Sequence, residues 1–283
     1  MAAGLTVGSY EHIQGEYRMT VDRTIAAIAL ASVSLLASAF APAHAEKLVL
    51  GNEGSYPPFS MVDPSGRLTG LEPDLAREMC KRMNVDCEIV VMDFKGLIPA
   101  LLQKKLDAVV SQTKPLPERK EKVLFGRPVL FNPDSYVVPA NKNYEFTKAG
   151  LKGVRIGLQR GSAQAKYVTE QFGDAVQIVF YDNPDQIRLD LANGRLDMSL
   201  GPKISWTNEF LSKPEGKNWK FAGGDLWTGG GEAGSSWIAR KDSAELLNRM
   251  NATLDTIIKD CTFTTLRKKY MEVALLPEEA ACK

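Results

Sequence analysis

Histidine is nearly absent from this 283-residue chain: there are two, His12 and His44, and none follows Glu46. A charge of one sign is lacking as well, with 35 Lys+Arg against 34 Asp+Glu and a formal net charge of +1. No basic field exists to grip a phosphate backbone, which argues against nucleic acid as a partner. There is no internal repeat and no low-complexity tract, and Gly229-Gly230-Gly231 is too short to be a linker. Long apolar runs are equally scarce. One stands out, Thr24–Ala41, which carries no charged residue.

That run ends in Pro42-Ala43-His44-Ala45 and then charged Glu46-Lys47. An apolar stretch closing on a small-x-small site is the pattern of a cleaved secretory signal peptide. It is also just long enough for a transmembrane anchor; its Ala and Ser content and the Ala43-His44-Ala45 site favour cleavage after Ala45. Glu11 and Glu16 are out of place in a basic leader start, so translation is expected to begin at Met19, with Arg23 as the basic flank. Cleavage would remove Arg18 and Arg23 together with Glu11, Glu16 and Asp22, moving the formal charge from +1 to +2.

It would also remove both histidines. A protein without histidine has no Ser-His-Asp or Cys-His nucleophile pair, and histidine-based zinc or copper sites go with them. No catalytic residue, metal site or cofactor is expected. All four cysteines remain: Cys80, Cys87, Cys261 and Cys282. An even count in an exported chain points to disulfides. Cys80 and Cys87 span a helix end and a strand start, and Cys261–Cys282 would then pin the C-terminal tail; the rival is four thiolates on one metal, for which the spacing is too wide.

The rest of the sequence alternates strand and helix patterns, which argues for α/β architecture with parallel sheets. Strands are expected at Lys47–Gly51, Cys87–Met92, Leu106–Val110, Val154–Leu158, Val176–Phe180 and Leu196–Leu200. Helices are expected from Glu72-Pro73-Asp74, over Leu97–Lys104 and Ser162–Phe172, from Pro184 to Gly194, and over Ala244–Ile258 and Phe263–Tyr270. Pro73 and Pro184 fit a first helical turn, where the missing N–H costs nothing. Tyr136-Val137-Val138 and Ser236–Ala239 read as extended segments, candidates for passages between two lobes.

Several motifs, in order, resemble the periplasmic solute-binding proteins of ABC importers for polar amino acids (bacterial solute-binding protein family 3). Glu53-Gly54-Ser55-Tyr56-Pro57-Pro58-Phe59 is similar to that family's first-strand loop, and Leu68–Leu75 to its first helix start. Gly96-Leu97-Ile98-Pro99-Ala100-Leu101 with Leu106-Asp107-Ala108, then Pro117-Glu118-Arg119, Gly161-Ser162 and Gly194-Arg195-Leu196-Asp197, match further motifs. The Cys80/Cys87 spacing resembles the disulfide of its lysine/arginine/ornithine and histidine binders. The resemblance covers Glu46–Lys283. It implies a two-lobed periplasmic-binding-protein fold (type II), each lobe a mainly parallel sheet flanked by helices, with two hinge crossings. Lobe 1 is expected at 46–134 plus 238–283 and lobe 2 at 135–237, after a signal peptide at 1–45. The implied protein is a periplasmic monomer that captures an amino acid or amino-acid derivative and passes it to ABC permease subunits of the inner membrane.

The same resemblance assigns ligand-binding residues. Arg119 would meet a carboxylate with its planar fork. Ser162 and Ala163, at a helix N-terminus, would offer N–H groups to the same carboxylate. Tyr56 and Phe94 would sandwich the solute side chain. Ser111, Gln112, Thr113 and Lys114 would line the ligand loop, where the family carries mostly Ser or Thr; Lys114 either adds a cation or points to solvent. Glu53 would read a cationic end. Family members that bind free α-amino acids carry an Asp where this chain has Pro202, so either a neighbour such as Glu232 takes the α-ammonium or the ligand lacks one. Opines fit the latter case, with Lys114 or Arg160 pairing a second carboxylate, and Glu53 resembles the octopine/nopaline-binding branch. Two rivals stand: a cleft enzyme on the same scaffold, like the cyclohexadienyl dehydratases, with Glu53 or Glu232 as acid, and a ligand-sensing receptor domain, against which no membrane or signalling segment follows the lobes.

Overall fold

The computed structural model describes residues 46–230 and 234–282. The proposed signal peptide, the start at Met19 and Glu232 lie outside them. The chain runs β1 (Lys47–Asn52), a small meander β2 (Ser55–Tyr56), β3 (Ser60–Val62) and β4 (Leu68–Thr69), then α1 (Leu71–Met83), β5 (Asp86–Val91), α2 (Phe94–Leu102), β6 (Ala108–Thr113), α3 (Pro117–Lys120) and β7 (Val123–Leu130). It continues as β8 (Asp134–Pro139), β9 (Arg155–Gln159), α4 (Ala163–Phe172), β10 (Gln177–Tyr181), α5 (Pro184–Ala192), β11 (Met198–Pro202), α6 (Lys203–Trp206) and β12 (Trp219–Leu226). β13 (Ser235–Arg240), α7 (Ala244–Lys259) and α8 (Thr262–Lys268) complete it.

Two five-stranded sheets result, in the orders β5-β1-β6-β13-β7 and β10-β9-β11-β8-β12. In the first, β13 runs antiparallel to β6 and β7, while β1 is parallel to β5 and β6. In the second, β8 runs antiparallel to β11 and β12, while β9 is parallel to β10 and β11. Each sheet is therefore parallel apart from the strand that has just arrived from the other sheet. The chain passes across at 131–133 and returns between β12 and β13. β8 begins at Asp134 and β13 at Ser235, so the lobe boundaries drawn from sequence at 134/135 and 237/238 fall inside these strands. Tyr136–Val138, read as a passage, is an inner strand of the second sheet.

The central strands of both sheets are buried on both faces, as parallel sheets require. In the first, Leu48 and Leu50 pack with Leu71, Leu75 and Met79 of α1 and Leu254 and Ile257 of α7. Val109 and Ile238 on the other face meet Leu97 and Leu101 of α2. The second repeats the scheme, with Ile156 and Leu158 against Val168 of α4, and Val137 against Ile187, Leu191, Trp206 and Phe210. Strands that must fill two faces have continuous apolar runs, which is why they were legible. Where the sheet comes closest to its helices the side chain shrinks: a Cβ on Gly157 would lie 2.4 Å from Leu196 Cδ1 and 3.0 Å from Ile187 Cγ2.

Both disulfides form, Cys80–Cys87 and Cys261–Cys282. The first ties the last turn of α1 to β5. The second holds the tail, whose buried Glu279 accepts from Arg267 Nε at 2.9 Å and from Thr264 Oγ1 at 3.1 Å.

Candidate functional site

The carboxyl ends of β1, β6, β9 and β11 converge on a cleft between the sheets, the crevice where open α/β folds bind ligands. A cavity of about 30 Å³ lies there, lined by Glu53, Tyr56, Phe94, Gln112, Lys114, Arg119, Gln159, Ser162, Ala163, Gln164, Pro202 and Ser235. Its sides are drawn together across the cleft: Gln159 Nε2 donates to Glu53 Oε2 at 2.8 Å, and Arg119 Nη2 donates to Gly161 O at 2.8 Å. Nearer the surface, Lys95 meets Asp182 at 2.8 Å and Lys166 meets Glu118 at 3.5 Å.

Glu53 is held at the end of β1 by its neighbours. Asn52 Nδ2 donates to Val110 O at 2.6 Å, and Asn52 Oδ1 accepts from Gly54 N at 2.8 Å. Gly54 has φ 61°, a left-handed turn that favours glycine and swings the chain into β2. The Glu53 carboxyl is 6% exposed. Burial pushes it up to about 7, while the bond from Gln159 acts in the opposite sense. Tyr56 and Phe94 both line the cavity. Burial, and then the nearby Glu53 carboxylate, raise the Tyr56 hydroxyl well above its ordinary value.

Arg119 stands in the short helix α3, which Pro117 opens. Its Nη1 donates to Lys114 O at 2.9 Å, Nη2 spans to Gly161 O, and the guanidinium lies 5.5 Å above the Phe94 ring. Burial lowers it to about 10, which leaves it cationic at neutral pH. Five N–H donors sit on such a fork, so donors remain for a ligand. Opposite, Gly161 at φ 75° makes the turn into α4. Ser162 caps that helix, its Oγ accepting from Ala165 N at 3.0 Å. The Ser162 N–H donates to Gln159 O at 3.2 Å. The amides offered to an anion are therefore those of the first turn, Ala163 and Gln164, rather than Ser162 itself.

Of the four ligand-loop residues, strand alternation separates two pairs. Gln112 and Lys114 face the cavity. Ser111 and Thr113 are buried on the far side, where Thr113 Oγ1 donates to Ser111 O at 2.9 Å. Lys114 does not point to solvent: it is 8% exposed, and its Nζ is bound by the Asp134 carboxylate and lies 3.2 Å from Thr228 Oγ1. Asp134 is fully buried and also accepts from Thr228 Oγ1 at 2.7 Å and Gln164 Nε2 at 2.7 Å. Burial draws the Lys114 ammonium down, and the Asp134 charge acts against that. Pro202 pairs with Asp134 in the β11/β8 register. Arg160, named for a second carboxylate, instead faces outward, bonded to Asp182 at 3.0 Å and stacked on Phe180. Among the described residues no cluster of His, Cys, Asp and Glu could hold a metal.

Sequence reasoning missed Asp134, Gln159, Gln164, Thr228 and Ser235. None sits in a local motif; they come from separate segments brought together only by the two passages between sheets.

Two mainly parallel lobes joined twice, with polar groups converging between them, define a two-lobed solute-binding protein. The model of the bacterial extracellular solute-binding proteins, family 3, matches residues 48–273, and the chain belongs to this family. Its role is substrate binding. It is 36% identical over 249 residues to the lysine/arginine/ornithine-binding periplasmic protein of Escherichia coli K12, covering 86% of this chain and 94% of that one. It is 32% identical to the histidine-binding periplasmic protein of Salmonella typhimurium, over 87% and 96% of the two chains. Among solved structures, an ancestral arginine-binding protein bound to arginine superposes with a TM-score of 0.73 at 28% identity, covering 81% of this chain and all of that one.

Proposed function

We propose that this protein works in the periplasm, after loss of residues 1–45, as the monomeric substrate-binding component of an ABC importer. It captures an amino acid or amino-acid derivative with a cationic end and delivers it to the permease without chemistry. The lobes are 46–130 with 235–283, and 134–226, joined by the passage at 131–133 and by the return between β12 and β13. The single observation that carries this reading is the placement of Arg119 and Glu53 on one cavity. A solute with a carboxylate at one end and a guanidinium or ammonium at the other satisfies both. The carboxylate takes Arg119 and the α4 amides, the chain lies between Tyr56 and Phe94, and the cation takes Glu53. The relatives named for lysine, arginine, ornithine and histidine support that class; an opine meets the same description. A thermal-shift screen of basic amino acids and opines tests it, since a ligand of the folded state alone raises the melting temperature. Arg119→Ala should abolish the shift, and a shift that survives would sink the pose.

A second reading has one observation in its favour: a Glu53 carboxyl near pH 7 holds a proton in the cleft, as a general acid must. Among the described residues no second titratable partner faces it within hydrogen-bond distance, since its contact is the Gln159 amide. Turnover of prephenate or arogenate would establish that reading; none is expected.

A further inference from the structure

An α-amino acid presents two charges side by side, a carboxylate and, one carbon away, an ammonium with three donors. A site for it needs acceptors next to the carboxylate cradle. Here the residue next to that cradle is Lys114, whose own carbonyl receives the Arg119 guanidinium at 2.9 Å. The carboxylate that an ammonium would want is present but already paired with a lysine. Asp134 Oδ2 and Thr228 Oγ1 both receive the Lys114 ammonium, and Gln164 occupies Asp134 Oδ1. Pro202, the register partner of Asp134, adds no side-chain acceptor. Among the described residues lining the cavity, Glu53 is the one carboxyl group, and it belongs to the other end of the solute.

We propose that Lys114 is a built-in ammonium that sets the specificity of this cleft at the carbon beside the ligand carboxylate. Resting on the reading that Arg119 takes that carboxylate, the solute carries there a group that accepts a hydrogen bond rather than a free ammonium. The donor count supports this. A lysine ammonium has three N–H groups; two go to Asp134 and Thr228, and Lys114 lines the cavity with the third to give. A second ammonium brought against it would meet a like charge, whereas a hydroxyl, an acyl oxygen or a second carboxylate would complete the set. A 2-hydroxy acid meets this requirement at the carbon itself; an opine, whose secondary amine is still cationic there, meets it through the second carboxylate carried on that nitrogen.

The decisive probes are arginine and its 2-hydroxy analogue, 2-hydroxy-5-guanidinopentanoate, which differ only in the group beside the carboxylate. Titration calorimetry on the wild-type protein should show the hydroxy acid binding at least about ten-fold more tightly, because sites built around buried polar groups discriminate strongly against a mismatched one. Lys114→Ser frees Asp134 and should invert the order in favour of arginine, and adding Asp134→Asn should remove that gain. If the Lys114→Ser protein does not fold, the wild-type comparison alone decides. Arginine binding the wild type as tightly as the hydroxy acid would overturn the proposal while leaving the carboxylate-and-cation reading intact. Neither probe binding at all would overturn that underlying reading, and the proposal with it.

Discussion

Gln159 reaches from the second lobe to donate to Glu53 of the first at 2.8 Å, so a hydrogen bond across the cleft ends on a buried carboxyl group. That group's pKa of about 7 has a direct consequence. A carboxyl raised above its ordinary value binds its proton more tightly in the folded protein than in the unfolded chain. Its contribution to stability is present at acid pH and is lost as pH rises through about 7. The span from 4.5 to about 7 corresponds to roughly 3 kcal/mol as an upper bound. Urea denaturation at pH 5 and pH 8 should therefore show wild type losing stability relative to Glu53→Gln over this interval. Parallel profiles for the two proteins would contradict the assignment. A cationic ligand needs the ionised form, so its affinity should rise across the same range.

Arg119 carries two structural bonds and faces the cavity besides. Arg119→Ala should cost at least about a hundred-fold in ligand affinity, given about 1.5–3 kcal/mol for a charge-assisted hydrogen bond and a bidentate contact that exceeds one. Arg119→Lys should fail to restore it, because an ammonium cannot serve Lys114 O, Gly161 O and a carboxylate with the same planar spacing. Calorimetry on the three proteins reads this directly; full rescue by lysine would show that charge alone matters.

The strands and helices were legible wherever local chemistry marks them. The strands expected at Lys47–Gly51 and Leu196–Leu200 rest on short apolar runs and overlap β1 and β11, and Pro184 opens its helix after an Asn183 cap that accepts from Asp185 N at 2.8 Å. Two features were not. β12 carries Gly223 and Gly224 at φ 77° and 76°, which in sequence look like a turn, yet the strand resumes pairing at Leu226 with Asp134. Tyr136–Val138 is apolar enough for either a passage or a core strand, and only its partners β11 and β12 decide. For the site, motifs supplied Glu53, Tyr56, Phe94, Arg119 and the Ser162 turn, and alternation along β6 decides which of 111–114 face inward. The Asp134 cluster joins residues 114, 134, 164 and 228, separations that no local pattern encodes.

The C-terminal disulfide should matter for stability rather than binding. Cys261–Cys282 closes 21 residues of chain, for which the loss of unfolded-state freedom corresponds to about 3 kcal/mol. The Cys261→Ser/Cys282→Ser double variant should show a lower denaturation midpoint with the ligand profile unchanged. The tail would still be held by the buried Arg267–Glu279 pair at 2.9 Å, so Glu279→Ala in that background should destabilise by a further 3–5 kcal/mol or so, leaving a buried cation without its partner. Equal midpoints for wild type and the double variant would remove the disulfide from the stability account.

Trp227 offers an optical report on the return passage. It is 43% exposed, whereas Trp206 and Trp237 are 4% and 1% exposed. It adjoins Thr228, whose hydroxyl donates to Asp134 at the start of β8, so the two passages between lobes are tied beside it. Hinge closure changes backbone angles in a few connecting residues while the lobes stay rigid. Emission from Trp227 should therefore shift on ligand binding while the tryptophans inside the lobes, half-buried Trp219 included, contribute a constant background. Trp227→Phe should abolish most of the ligand-induced change without altering affinity measured by calorimetry. A change of undiminished size in that variant would place the moving segment elsewhere than beside Trp227.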